Sequence, residues 1–161
     1  EGPDADSSEY ASCRVTAAEV YRSQRRYFDA ESQLNRAIAI LSRDPDARWR
    51  LGLAHHELGN LYAAQGRYAE SGPAYEQALK ELEQSLGPNH PFVATVLVGL
   101  GRKLAFEHRY EEAQAALERA VAIEENALVP DHPQLVTTRR SLAQLNEERA
   151  LAESHHAQQF R

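Results

Sequence analysis

The chain has no methionine, one cysteine and one tryptophan among its 161 residues. A single cysteine, Cys13, excludes an intramolecular disulfide. Its place in the pattern predicts a small, buried or half-buried residue of a first helix. No apolar run approaches the roughly 20 residues that a membrane span needs. Excess positive charge is missing too. The net charge of −6 argues against general nucleic-acid binding and gives no support to a role on an anionic lipid surface. The chain opens on Glu1 rather than on a methionine. That predicts a processed or excised start, either the mature end of an exported protein or a cut within a longer one, and it leaves the compartment open.

Reactive groupings are equally scarce. There is no glycine-rich phosphate loop after a strand, no Cys-x-x-Cys pair and no His-Glu-x-x-His. His55-His56 and His155-His156 are adjacent pairs. Neighbours on a helix point about 100° apart, which is poor geometry for chelating one ion. Glu111-Glu112 and Glu147-Glu148 read as solvated helix faces. The expectation is therefore a chain with no catalytic residue, no cofactor and no metal: not an enzyme.

What the chain does have is a repeat. Leu58-Gly59, Tyr62, Gly66, Tyr68, Ser71, Tyr75 and Ala78-Leu79 return as Leu100-Gly101, Leu104, His108, Tyr110, Ala113, Leu117 and Ala120-Val121. The same spacing runs backwards to Ala17-Ala18, Tyr21, Arg25, Tyr27, Ala30, Leu34 and Ala37-Ile38, and forwards to an unfinished copy at Leu142-Ala143 and Asn146. A period of about 42 residues marks a stacked repeat of helix–turn–helix units. Its small positions predict where helices cross. Glycine inside a helix costs about 1 kcal/mol relative to alanine, so Gly59 and Gly101 at one equivalent position need a reason, and close approach of a second helix supplies it. Apolar residues at 42% suffice for a core, provided that neighbouring pairs stack, because one pair cannot bury its apolar face alone.

These residues resemble the tetratricopeptide repeat, whose usual period is about 34 residues. The longer spacing here, with Leu86-Gly87-Pro88-Asn89-His90-Pro91 and Leu128-Val129-Pro130-Asp131-His132-Pro133 between repeats, is similar to the long variant of kinesin light chains. The resemblance implies an all-α fold, a right-handed α-solenoid of stacked antiparallel helix pairs with about seven helices. Residues 1–6, polar with glycine and proline, are expected to form a flexible terminus. Residues 7–161 are expected to form a single domain with repeats at about 11–44, 52–91 and 94–133 and a partial fourth repeat or capping helix at 134–161.

Local signals place the ends. Ser7 or Ser8 caps the first helix, which runs to about Gln24. The second runs from Tyr27 to near Leu41. Asp44-Pro45 starts the third as cap and first residue. His90-Pro91 and His132-Pro133 start later helices, and their repeat equivalence favours this structural role over metal binding. Trp49 is expected against the end of the second helix. Pro73 falls inside the helix that begins at Tyr68, predicting a kink or a late start there, or an opening of the groove.

The resemblance also implies a function, a non-enzymatic scaffold that holds a peptide or helical segment of a partner protein in a concave groove lined by the first helix of each repeat. Carried over position by position, the groove presents His56, Asn60 and Ala63 in the second repeat, Arg102 and Phe106 in the third, and Arg140 and Gln144 on the last helix. Asparagine can both donate to and accept from a peptide backbone, and arginine grips a carboxylate through two bonds, so a partner bearing an acidic group is expected. The alternative is a self-associating or structural piece, docking through its incomplete last repeat on a second copy or on flanking repeats.

Overall fold

A computed structural model of the chain describes residues 7–159, with side chains as far as residue 154. The proposed flexible terminus at 1–6 and the side chains of His155 and His156 lie outside the described residues. The secondary structure is all-α: seven helices and one short 3-10 turn among the described residues, with no strand. In chain order they are α1 (Ser8–Ser23), α2 (Tyr27–Leu41), the 3-10 turn (Pro45–Ala47), α3 (Arg48–Ala64), α4 (Tyr68–Leu86), α5 (Pro91–Phe106), α6 (Tyr110–Ala127) and α7 (Pro133–Gln159). The chain forms two compact units that divide between Val96 and Leu97, within α5.

The helix ends follow from local chemistry. Ser7 caps α1, its hydroxyl accepting from the backbone N–H of Tyr10 at 3.2 Å. Pro91 and Pro133 open α5 and α7, and the residue before each is a histidine whose Nδ1 accepts the second helical N–H, from Phe92 and from Gln134, at 3.2 Å in both. This is an N-cap in which imidazole takes the place of an aspartate side chain. The third helix departs from the expected start. Asp44 caps the 3-10 turn through the N–H of Asp46, and α3 proper begins only at Arg48.

The turns inside the repeats are one structure used three times. Arg25, Gly66 and His108 occupy equivalent positions and all have φ between 59° and 73°, the left-handed region. After each, the next N–H reaches back to the helix: Arg26 to the carbonyl of Tyr21, Arg67 to Tyr62, and Arg109 to Leu104, at 2.8–3.0 Å. With the companion bonds from Arg25, Gly66 and His108 this is the Schellman arrangement that satisfies the last carbonyls of a helix.

In the first unit α1 packs on α2 and α3 packs on α2 and α4. Ala30 and Leu34 of α2 share a cluster with Leu58 and Leu61 of α3, and Ala37 and Leu41 share another with Ala54. Leu34, Leu41 and Leu61 are at most 1% exposed, worth about 1.5–3 kcal/mol each. The close crossing expected at Gly59 is present, since a Cβ there would meet the Tyr75 ring of α4 at 2.7 Å. Gly52 on the same helix lies as near to Leu82. In the second unit Gly101 stands in the same relation to Leu117 of α6, with a Cβ 2.9 Å from its Cγ. Leu104, Ala113, Leu117 and Leu145 of α7 form the core there.

Two side chains differ from the sequence reading, and one of the alternatives for a third is excluded. Cys13 is exposed, because α1 turns that face away from α2. Trp49 stacks its ring on Phe92, centroids 6.4 Å apart and planes 12° apart. Pro73 does not delay its helix, as α4 already starts at Tyr68 and carries the proline in its second turn.

Candidate peptide-binding surfaces

Each unit carries part of the surface that the repeat pattern assigns to a partner. In the first unit, His56, Asn60 and Ala63 lie on α3. Two of them are engaged within the fold. His56 is 8% exposed. Its Nδ1 lies 3.3 Å from Glu57 Oε1, and Asn60 Nδ2 lies 3.3 Å from its Nε2. Asn60 also donates to Glu57 Oε1 at 3.0 Å and accepts from the Tyr75 hydroxyl at 2.8 Å. Arg22 of α1 reaches Glu57 Oε2 at 3.4 Å. The network thus runs Tyr75–Asn60–Glu57–Arg22 and ties three helices together. An asparagine amide has two N–H groups and one oxygen, and here both faces of the amide are used.

Burial pushes the Glu57 carboxyl up, but His56, Arg22 and Asn60 together outweigh it and leave the group below its ordinary value. Glu19, one helix away, is raised by burial and by the charge of Glu57. Beside this network Val15, Thr16, Trp49, Leu53 and Glu57 line a cleft of about 250 Å³ between α1 and α3. Ala63 is half-buried near the end of α3. The repeat pattern also assigns Glu57 to this surface, but sequence reading missed Tyr75. The signal was the Gly59–Tyr75 crossing, which sets the phenol against the helix that bears Asn60.

The second unit is more open. A cleft of about 560 Å³ runs between the end of α5 and the middle of α7, over the start of α6. Its floor is Leu117 and Leu145, both buried. Its walls are Arg102, Ala105 and Phe106 from one side and Ser141, Gln144 and Glu148 from the other, with His108 and Tyr110 at one end. Phe106 is 61% exposed. Gln144 donates to Glu148 at 3.1 Å, and His108 Nδ1 lies 2.9 Å from the Tyr110 hydroxyl. Lys103 and Arg109 near this site are neutralised by Glu107 and Glu112. Arg102 and Arg140 are exposed and make no ion pair among the described residues. Three of the four expected residues of this unit, Arg102, Phe106 and Gln144, therefore line one cleft. Arg140 stands on α7 outside the lining.

Among the described residues no three His, Cys, Asp or Glu side chains gather as a metal-ligand set, and no helix is long and apolar enough to cross a membrane.

Comparison with known proteins agrees with this architecture. Residues 50–125 match the tetratricopeptide repeat family model. A crystal structure of nearly identical TPR-like repeats from a candidate kinesin light chain of Podosopora anserina superposes with a TM-score of 0.75 at 22% identity, covering 86% of this chain and 66% of that one. A single-substitution variant of the same repeats gives 0.76 at 23% identity, covering 89% and 68%. This chain therefore spans about two thirds of their length, and at that identity the likeness is one of fold. Residues 50–125 thus match the tetratricopeptide repeat, and the fold of the described residues is similar to that of the kinesin-light-chain TPR-like repeats.

Proposed function

We propose that the chain is a non-enzymatic scaffold that holds an extended or helical segment of a partner protein along the exposed faces of its first-position helices. Tetratricopeptide repeats generally serve protein–protein interaction. The observation that carries the finer reading is the cleft of the second unit. It combines an apolar floor at Leu117 and Leu145, an exposed aromatic ring at Phe106 and an arginine, Arg102, whose charge no described carboxylate neutralises. An apolar cleft with a few convergent polar groups is the usual form of a binding site. A guanidinium free of internal partners favours a carboxylate on the ligand.

Arg102, Phe106 and Gln144 would contact the ligand directly, with Arg140 as a second cation on α7. In the first unit His56 and Asn60 would act as a rigid wall, because their polar atoms are already occupied, and Ala63 would leave room for a backbone. Peptides selected from a random display library on the purified protein should be enriched in acidic residues. The paired substitution Arg102→Ala and Arg140→Ala should weaken them at least tenfold. Equal binding to wild type and variant would remove the cleft from the site.

Self-association through the last helix is the competing reading. It has less to rest on, because the exposed Arg139 and Asn146 interrupt the apolar exposure of Val136 and Ala143 on α7.

A further inference from the structure

The cleft between α1 and α3 is lined by hydrogen-bond acceptors. Ser12, Val15, Thr16 and Glu19 follow the i, i+3, i+4, i+7 spacing of one face of α1. Trp49, Leu53, His56 and Glu57 line it from α3. The Ser12 and Thr16 hydroxyls each give their proton to the backbone carbonyl one turn back, Ser8 at 3.0 Å and Ser12 at 3.4 Å. Lone pairs are what these hydroxyls have left to offer a ligand.

The donors of the lining are already engaged. His56 Nδ1 faces Glu57 and its Nε2 faces the Asn60 amide, each at 3.3 Å. The Arg50 guanidinium lies 4.7 Å from the centroid of the Trp49 ring and 3.8 Å from Glu9. Arg22, three residues beyond Glu19, pairs with Glu57 instead. Glu19 therefore stands exposed at the cleft with no ion pair among the described residues. Val15, Leu53 and Trp49, the last held by its stack on Phe92, give the cleft apolar walls. Its volume of about 250 Å³ is below that of a whole small-molecule site and suits one long side chain.

Resting on the scaffold reading above, we infer that this cleft is a pocket for a lysine or arginine side chain of the held segment, with Glu19 as its counter-charge. The aliphatic stem lies on Trp49, Leu53 and Val15, and the cationic head meets Glu19 and the two hydroxyl oxygens. Lysine and arginine heads are donors only, which matches a lining whose free groups only accept. A carboxylate in the same place would meet Glu19 and Glu57 with no free donor to receive it. Burial and the charge of Glu57 already raise the Glu19 pKa, and a bound cation offsets that repulsion. The second cleft has the opposite need, an arginine without a carboxylate, so the two units select partner residues of opposite sign.

Trp49 is the sole tryptophan and lines the pocket, so its fluorescence reports occupancy in the intact chain. The probes are blocked tripeptides with a central lysine or a central norleucine between alanines. The lysine peptide should half-saturate the signal at an about fivefold lower concentration than the norleucine peptide. Glu19→Gln, at an exposed position, should abolish that difference. Equal half-saturation, no saturable response to the lysine peptide, or a lysine preference that survives Glu19→Gln would overturn the pocket. The paired Arg102→Ala and Arg140→Ala substitution should leave this titration unchanged. In a display selection on the wild-type protein, lysine or arginine should be enriched beside the acidic residues, and Glu19→Gln should remove the basic enrichment alone. Acidic enrichment without basic enrichment would remove the pocket and leave the scaffold, whereas no enrichment of either kind would remove both.

Discussion

Glu124 has no exposure, and neither of its carboxyl oxygens has a hydrogen-bond partner. Its equivalents in the two earlier repeats are Leu82 and Leu41, both buried. An unsatisfied buried polar group costs about 1–3 kcal/mol, so Glu124→Leu should raise the urea midpoint by a stability gain of that order, with an unchanged slope. The pattern of apolar positions would have written leucine here, and only the buried position of the side chain marks it as an exception. Glycine positions divide by what faces them. The Tyr75 ring opposite Gly59 is rigid and its hydroxyl is held by Asn60, whereas Leu117 opposite Gly101 is a flexible side chain that can turn away. Gly59→Ala should therefore cost about 1–3 kcal/mol through overpacking, and Gly101→Ala clearly less, in the same unfolding measurement. His55 gives a pH dependence. Burial lowers its pKa despite the opposing pull of nearby Glu81 and of the Leu51 carbonyl. A histidine with a depressed folded pKa binds its proton more readily when unfolded. Its contribution is complete above about pH 6.5 and is lost as pH falls from there towards the folded value. His55→Gln should flatten the loss of stability between about pH 7 and 5, and an unaltered profile would exclude His55 as its source.

At the scale of the element, the repeat is a matter of how helices stop. The left-handed residue of the turn is glycine once and a side-chain-bearing residue twice, Arg25 and His108. Non-glycine residues there cost about 1–2 kcal/mol, so the three turns are not of equal quality. Gly66→Ala should destabilise by about 1 kcal/mol, measured by thermal unfolding, whereas Arg25 and His108 show that the turn survives the strain when the packing around it is intact. At the other ends, His132→Ala should cost about 1 kcal/mol by removing the acceptor for the Gln134 N–H, and His132→Asp should restore it. These boundaries were legible in advance because their signals are local: serine before α1, proline opening α5 and α7. The start of α3 was not. Asp44-Pro45 reads equally well as the cap of a helix and as the cap of a 3-10 turn, and the difference lies in three residues without a pattern of their own.

For the whole molecule, every described interface joins elements close in sequence, as in α1 with α2 and α6 with α7. Local topology folds quickly, on the microsecond-to-millisecond scale, so the main refolding phase in stopped flow should be complete within roughly that time. A dominant phase of seconds would contradict it. The sequence by itself determined the architecture: helix pairs at a period of about 42 residues, and small residues where helices cross. It could do so because each of these is written in residues near one another and repeated at equivalent positions. The state of the surface was decided only by the tertiary structure. Asn60, which spacing alone offers to a partner, is taken up by Tyr75 and Glu57, whereas Arg102 remains available and Cys13 and Val20 lie uncovered. Periodicity assigns a face to a residue. Whether that face is already occupied depends on side chains brought in from other helices, and on those the spacing is silent.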